Sequence, residues 1–165
     1  MNNKLAAENK RIIEHDGEDA EVSRIVKIVI KSTSGFGPID QAYNDKITIT
    51  PESISYEYKP YEETDSNPKR KWSYRTDSAL FKEQYEEIEA VIPMALNDGP
   101  FDIVYDVGTI EFLLTFSDKT KYRQLVYNTG YYYEGLFKMI KKLVPGTEQT
   151  PSALLTSEDY DDVDI

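Results

Sequence analysis

Cysteine is absent from the 165-residue chain, and histidine occurs once, at His15. Without cysteine the chain forms no disulfide, thiol nucleophile or zinc–cysteine site. A single histidine excludes a metal site built from several histidines of the chain and removes most Ser–His chemistry. No serine lies in a G-x-S-x-G turn. We therefore predict no cofactor, and we expect a binding protein rather than an enzyme.

Long apolar runs are also missing. No run approaches the roughly 18 apolar residues that a helix needs to cross a bilayer. The first residues, MNNKLAAENKRIIEHDGEDAE, lack the uninterrupted apolar core of a secretory signal. Hydrophobic residues make up 39% of the chain and charged residues 30%, which is typical of a globular protein. We expect a cytoplasmic protein without a membrane partner.

Positive charge is scarce at the two ends of the chain, and the net charge is −11. Residues 1–22 hold three Lys/Arg and six Asp/Glu, and residues 148–165 hold six Asp/Glu and no Lys/Arg. Residues 23–147 are nearly neutral. The chain is therefore predicted to consist of a polar N-terminal segment (1–22, with a short helix at 3–15), one α+β domain (23–147) and an acidic C-terminal tail (148–165). The acidic balance makes nucleic acid an unfavourable partner.

The stretch from Thr109 to Pro145 has the clearest pattern. Apolar residues alternate from Ile110 to Phe116, as in a strand with one buried face. A loop of Ser117–Lys119 would place the next strand so that its tyrosine and valine lie beside apolar residues of the first, namely Tyr122 beside Leu114 and Val126 beside Ile110. Apolar residues at helical spacing then predict a helix from Asn128 or Thr129 to the residues before Pro145.

The earlier part of the chain repeats this arrangement. Strands are predicted at Arg24–Lys31, Lys46–Ile49, Ile54–Tyr58, Lys71–Thr76 and, more briefly, Phe101–Tyr105. In the first strand we expect Val26, Ile28 and Ile30 on one face. A helix capped by Asp77 or Ser78 should end or kink at Pro93. Its apolar face is predicted to contain Leu80, Phe81, Tyr85, Ile88, Val91, Ile92 and Ala95.

These elements predict an α+β fold: an antiparallel sheet of about six strands with two main helices on one face, arranged as ββ followed by two ββα units. We expect one core shared by both helices and the sheet. Its predicted members are Ile28, Phe81, Ile88, Phe112, Leu114, Leu136 and Ile140.

The stretch Lys69–Arg75 interleaves basic and aromatic residues. Such a pattern can follow phosphates while aromatic rings stack on bases. It is equally the pattern of an ordinary strand with Trp72 and Tyr74 toward the core and Lys71, Ser73 and Arg75 outward. The nearby acids Glu62, Glu63 and Asp65 could neutralise its charge.

Two groups of carboxylates raise the question of a metal site. Asp98, Asp102, Asp106 and Glu111 could suggest a hard cation, but they do not form a pattern that converges on one point, so we interpret them as solvated carboxylates. The run from Glu158 to Asp164 lacks the glycine and bidentate glutamate of an EF-hand loop and is predicted to be a solvated acidic tail. No metal site is predicted.

Tyrosine is abundant, with 13 in the chain. A tyrosine suits positions that are apolar on one side and wet on the other, which is common at protein contacts. We therefore predict a non-enzymatic acidic protein that binds a protein partner with a basic surface; one form of this function is an inhibitor that occupies that surface. The alternative is a nucleic-acid or small-ligand module built on Lys69–Arg75. Candidate binding residues are Lys69, Arg70, Lys71, Trp72, Tyr74, Arg75, Tyr131 and Tyr132.

Overall fold

A computed structural model describes residues 23–35, 37–99, 108–127 and 131–161. The N-terminal helix predicted at residues 3–15, His15 and the strand predicted at Phe101–Tyr105 lie outside the described residues. The predicted start of the second helix, at Asn128 or Thr129, lies outside them as well.

One six-stranded antiparallel sheet carries the fold, with strand order β4-β3-β2-β1-β5-β6. The strands are β1 (Ile25–Thr33), β2 (Tyr43–Thr50), β3 (Ser53–Pro60), β4 (Arg70–Arg75), β5 (Thr109–Phe116) and β6 (Lys121–Tyr127). The described helices are α1 (Ala79–Asn97), α2 (Glu134–Lys141) and the short α3 (Ser157–Asp161), with 3-10 turns at Tyr131–Tyr133 and Ser152–Leu154. The predicted α+β architecture is confirmed.

The hairpin of β5 and β6 has the predicted three-residue loop. The amide of Phe116 donates to the carbonyl of Thr120 at 2.9 Å, and Lys119 takes a left-handed φ of 71°. Leu114 lies opposite Tyr122, and Ile110 lies opposite Val126. This register puts the apolar side chains of both strands on one face, as the alternation predicts.

The prediction of which residues of β1 face the core is wrong at the start of the strand. Val26 was expected beside Ile28 and Ile30, but its side chain is 39% exposed and Ile25 is buried instead. The cause is a register shift against β5 between Ile25 and Lys27. An extra residue at a β-bulge reverses the alternation on one side of it, and the bulge depends on the partner strand, which the β1 sequence does not reveal.

Both main helices pack on one face of the sheet and share its core. All seven predicted core residues belong to the buried cluster, which is largest beneath α1 and α2: Ile28, Phe81, Ile88, Phe112, Leu114, Leu136 and Ile140. Leu80 and Val91, which were assigned to the apolar face of α1, are exposed. Successive residues of a helix are rotated by about 100°, so Leu80 and Val91 lie on a stripe beside the buried one. Their assignment to the same face as Phe81 and Ile92 was wrong.

The ends of the two helices also differ from the predicted ones. Pro93 does not end α1, which continues to Asn97. Ser78 caps the start of α1, accepting a hydrogen bond from the amide of Phe81 at 3.4 Å, as predicted. The α-helical part of α2 is shorter than expected, because a 3-10 turn at Tyr131–Tyr133 precedes it and turns follow Lys141.

The segment after α2 contributes to the core. Residues 148–165 were predicted to be an acidic tail, but Ala153 and Leu154 are buried with the main cluster. The amide of Ala153 donates to the buried carboxylate of Asp45 at 3.2 Å. Two apolar side chains and this hydrogen bond hold the 3-10 turn against the sheet, and overall acidity did not indicate it. No helix in the described parts of the chain has the length and apolar character needed to cross a membrane.

Candidate functional site

The basic–aromatic stretch Lys69–Arg75 is divided between the two faces of the sheet. It forms edge strand β4, in which Arg70, Trp72 and Tyr74 lie opposite Tyr58, Tyr56 and Ile54 on the face toward the helices. Lys71, Ser73 and Arg75 lie on the other face. Because Lys71 and Arg75 lie on the face opposite Trp72 and Tyr74, the stretch does not present all its cations and rings on a single surface for phosphates and stacked bases.

Protein groups already engage much of this stretch. The guanidinium of Arg70 lies 4.2 Å from the centre of the Tyr58 ring and donates to the side chain of Gln149 at 2.6 Å. Lys69 pairs with Glu63 at 3.5 Å, and Arg75 pairs with Glu52 at 3.0 Å. The ring of Trp72 is half-buried against Tyr56, and the exposed Tyr74 contacts Phe81.

The tyrosines at the start of α2 have different environments. Tyr133 is buried between Phe112 and Phe137, and this burial raises the pKa of its hydroxyl to about 12. Tyr132 is 48% exposed, and its hydroxyl donates to the backbone carbonyl of Asp98 at the end of α1. The side chain of Tyr131 lies outside the described part of the structure. Tyr132 is thus the surface tyrosine that joins the two helices.

A groove of about 470 Å³ runs between α1 and α2 beside Tyr132. We call it the α1–α2 groove; its lining residues are Ala90, Val91, Met94, Ala95, Asp98, Tyr132, Tyr133, Gly135, Leu136 and Met139. Met94 is 64% exposed and Val91 is 40% exposed. Asp98 is the charged residue in this lining. Large apolar side chains that remain exposed beside one another are typical of a contact surface.

Gly135 keeps the α2 wall of the groove open. A Cβ atom placed on Gly135 would meet nothing within 4 Å. Glycine inside a helix costs about 1 kcal/mol relative to alanine. A larger residue would therefore fit the helix and fill the groove, which makes Gly135 a useful position for blocking it.

Negative charge borders the α1 side of the groove. Leu80, Glu83, Glu87, Val91, Met94 and Asp98 lie along one stripe of α1 or at its end. In the described structure Arg24 pairs with Glu86 and Glu89 on the other side of the helix, whereas no Lys or Arg lies within 4 Å of Glu83 or Glu87. On the α2 side, the stripe that contains Gly135 and Met139 continues to a cation, Lys142, just after the helix ends. The helix side thus combines an apolar groove with an acidic rim.

Sequence reasoning named Tyr132 as a candidate binding residue but did not predict the groove beside it. Val91 was counted as a core residue, and Met94, Gly135 and Met139 were not singled out. A helical wheel of α1 could have placed Val91 and Met94 on the stripe beside the core. The groove itself depends on how α1 meets α2, and that contact joins residues about 45 positions apart in the chain.

The carboxylates considered for metal binding are dispersed. Glu111 pairs with Arg123 at 2.5 Å, while Asp98 lies at the end of α1. Asp102 and Asp106 lie outside the described residues. No group of three potential ligands that could hold a metal ion occurs among the described residues.

Comparison with protein-family models and with curated proteins found no match. The interpretation of the site therefore depends on its own geometry and charge.

Proposed function

We propose that this protein is a non-enzymatic binding module that holds a basic, amphipathic segment of a protein partner in the α1–α2 groove. The observation that carries the proposal is the combination, on one surface, of exposed apolar side chains and of glutamates that form no ion pair with other described residues. An amphipathic helix that enters such a groove buries its apolar face and leaves its charged residues at the rim.

The apolar part of the groove would supply most of the affinity. Met94 and Met139 have unbranched, flexible side chains that adapt to different partners. Tyr132 adds a large ring held in place by its hydrogen bond to Asp98. Aromatic residues held in a well-packed site often dominate the energy of an interface.

The acidic rim would supply orientation and speed. Glu83 and Glu87 can meet cations of the partner, and Asp98 can do so at the far end of the groove. Complementary charge raises the association rate, and salt reduces this effect. A partner segment that normally contacts phosphate would be blocked while bound, which is how the protein would act as an inhibitor.

The alternative built on Lys69–Arg75 has less support. Its residues lie on two faces, and Lys69, Arg70 and Arg75 have polar or charged partners within the protein. Nucleic acid would have to replace these contacts before it gained new ones.

A random dodecapeptide library displayed on phage tests the proposal without a known partner. Counter-selection against Gly135→Met isolates the peptides that use the groove, and we expect these to be basic and to carry apolar residues at helical spacing. The affinity for these peptides should weaken at least about tenfold in Gly135→Met, because the new side chain fills the groove. The control is Gly146→Met, which should leave the affinity unchanged. A Cβ atom added at Gly146 also meets nothing within 4 Å. A set of groove-dependent peptides without basic residues, or equal binding of every selected peptide by both variants, would contradict the proposal.

The acidic rim has its own test with the same peptides. Glu83→Gln/Glu87→Gln should slow association at low salt, whereas Glu62→Gln/Asp65→Asn should not. Both double variants change the net charge by the same amount, but the control residues lie in the exposed segment between β3 and β4. An equal effect of the two variants would mean that only total charge matters.

A further inference from the structure

The sheet face opposite the helices, called here the open face, is basic in a protein whose net charge is −11. Its charged residues are two glutamates, Glu57 and Glu111, and eight cations: Lys27, Lys31, Lys46, Lys59, Lys71, Arg75, Lys121 and Arg123. The remaining described residues hold eight Lys/Arg and 18 Asp/Glu. The two sides of the sheet therefore carry opposite charge.

The register places these charges in a row across the strands. Lys31 lies opposite Lys46 on β2 and opposite Glu111 on β5. Glu57 lies between Lys46 and Lys71. Like charges directly opposite each other on a sheet are destabilising, so Lys31 and Lys46 repel each other and favour an added negative charge between them.

Several of these cations form no ion pair with the described residues. Lys59 pairs with Glu57 at 3.0 Å and Arg123 pairs with Glu111 at 2.5 Å, so the two glutamates of the face are engaged. Within the described structure, no carboxylate lies within 4 Å of the ammonium groups of five lysines: Lys27, Lys31, Lys46, Lys71 and Lys121.

A shallow cavity of about 450 Å³ lies over the two opposed lysines. Lys59, the carboxylates of Glu57 and Glu111, and the polar side chains of Thr33, Asn44 and Thr109 also line it, and Leu125 contributes an apolar wall. Leu113, opposite Val29 in the next row, extends this apolar surface. The face thus offers cations, hydrogen-bonding groups and a small apolar area together.

We propose that the open face is a second binding surface, independent of the α1–α2 groove, and that it binds an acidic segment of a protein. Carboxylates of the segment pair with Lys31 and Lys46, and an apolar side chain covers Leu113 and Leu125. Nucleic acid fits less well because Glu57 and Glu111 interrupt the row of cations, and Tyr127 is the aromatic residue that the described strands place on this face.

Selection from the same dodecapeptide library, with counter-selection against Lys31→Gln/Lys46→Gln, tests this proposal separately from the groove. We expect acidic peptides whose affinity falls about tenfold in that variant. Affinity should stay within about twofold in Lys82→Gln/Lys142→Gln, which removes the same charge from the helix side. Circular dichroism checks that both variants fold.

Three outcomes would overturn the proposal. The first is that no acidic peptide is enriched, or that both double variants weaken its binding equally. The second is that a labelled single-stranded oligonucleotide binds more tightly than the selected peptides and depends on Lys31 and Lys46. The third is that removal of residues 1–22 tightens peptide binding more than about tenfold. That result would mean that the acidic N-terminal segment of the chain itself occupies the open face and competes with the peptide.

Discussion

Asp45 is the one buried carboxylate among the described residues. It accepts hydrogen bonds from the hydroxyl groups of Ser32 and Tyr56 and from the amide of Ala153. These donors come from β1, β3 and the 3-10 turn at Ser152–Leu154, so a single side chain ties three elements together. Burial nevertheless raises the pKa of Asp45, because desolvation of the carboxylate outweighs the hydrogen bonds to it.

The raised pKa predicts a particular pH dependence of stability. An unfolded aspartate ionises near pH 3.9, whereas folded Asp45 stays protonated to higher pH. The free energy of unfolding of the native protein, relative to Asp45→Asn, should therefore be highest at acid pH and fall as pH rises through the folded pKa. Urea unfolding of both proteins from pH 3.5 to 8 measures the difference. A difference that grows with pH would show that the hydrogen bonds lower the pKa instead.

The bulge in β1 makes a second prediction about single residues. Ile25→Ala should lower the free energy of unfolding by about 2–5 kcal/mol, because Ile25 is buried in the core. Val26→Ala should lower it by less than about 1 kcal/mol, because Val26 is 39% exposed. Chemical unfolding of the two variants gives both values. A larger loss of stability for Val26→Ala than for Ile25→Ala would contradict the bulge and support the uninterrupted alternation that the sequence predicts.

The alternation of apolar residues could have revealed Asp45 but not the bulge. Asp45 precedes Ile47 and Ile49 at intervals of two, so extending β2 by one pair would have placed it on the core face. The bulge leaves no such mark, because Ile25–Ile30 is apolar on both possible faces except for Lys27. Its position depends on the pairing of β1 with β5.

At the scale of whole elements, the C-terminal segment divides into two parts with different contacts. Pro151, Ala153 and Leu154 are buried. In α3, Glu158 pairs with Lys138 at 2.8 Å, and Asp159 pairs with Lys141. The backbone amide of Thr156 also donates a hydrogen bond to the carboxylate of Asp159. The first part is held by apolar burial, and the second mainly by ion pairs at the surface.

Two truncations should separate these parts. Ending the chain at Thr156 should change the melting temperature only slightly, because it removes one exposed and one partly exposed ion pair, and such pairs contribute little. Ending it at Thr147 should lower the free energy of unfolding by at least about 2 kcal/mol, since it removes Leu154 and the amide that bonds to Asp45. Calorimetry on both truncated proteins measures this. Equal melting temperatures for the two would mean that the 3-10 turn adds nothing to the core.

Local patterns predicted the elements better than their ends. The β5–β6 hairpin was predictable down to its register, because loop length and alternation agree. The continuation of α1 past Pro93 was not, because apolar packing of Ile92 and Leu96 outweighs the loss of one backbone hydrogen bond.

For the molecule as a whole, the distribution of charge matters more than its total. The sequence gives a net charge of −11, from which a basic partner was predicted. Counting ion pairs among the described residues alone, the fold places glutamates without a partner beside the α1–α2 groove and lysines without a partner on the open face. Strand register decides which cations share a face, and register joins residues far apart in the chain, so this separation could not be predicted from composition.

The central claim is that the α1–α2 groove is where a basic partner segment binds, and the methionines report on it directly. Two of the three methionines, Met94 and Met139, line the groove, and the third is Met1. NMR spectra of protein labelled with [¹³C-methyl]methionine, titrated with a basic peptide from the selection, should show large shifts of the Met94 and Met139 signals. The signal of Met1 should stay in place. A peptide that binds while the Met94 and Met139 signals do not move would contradict the claim.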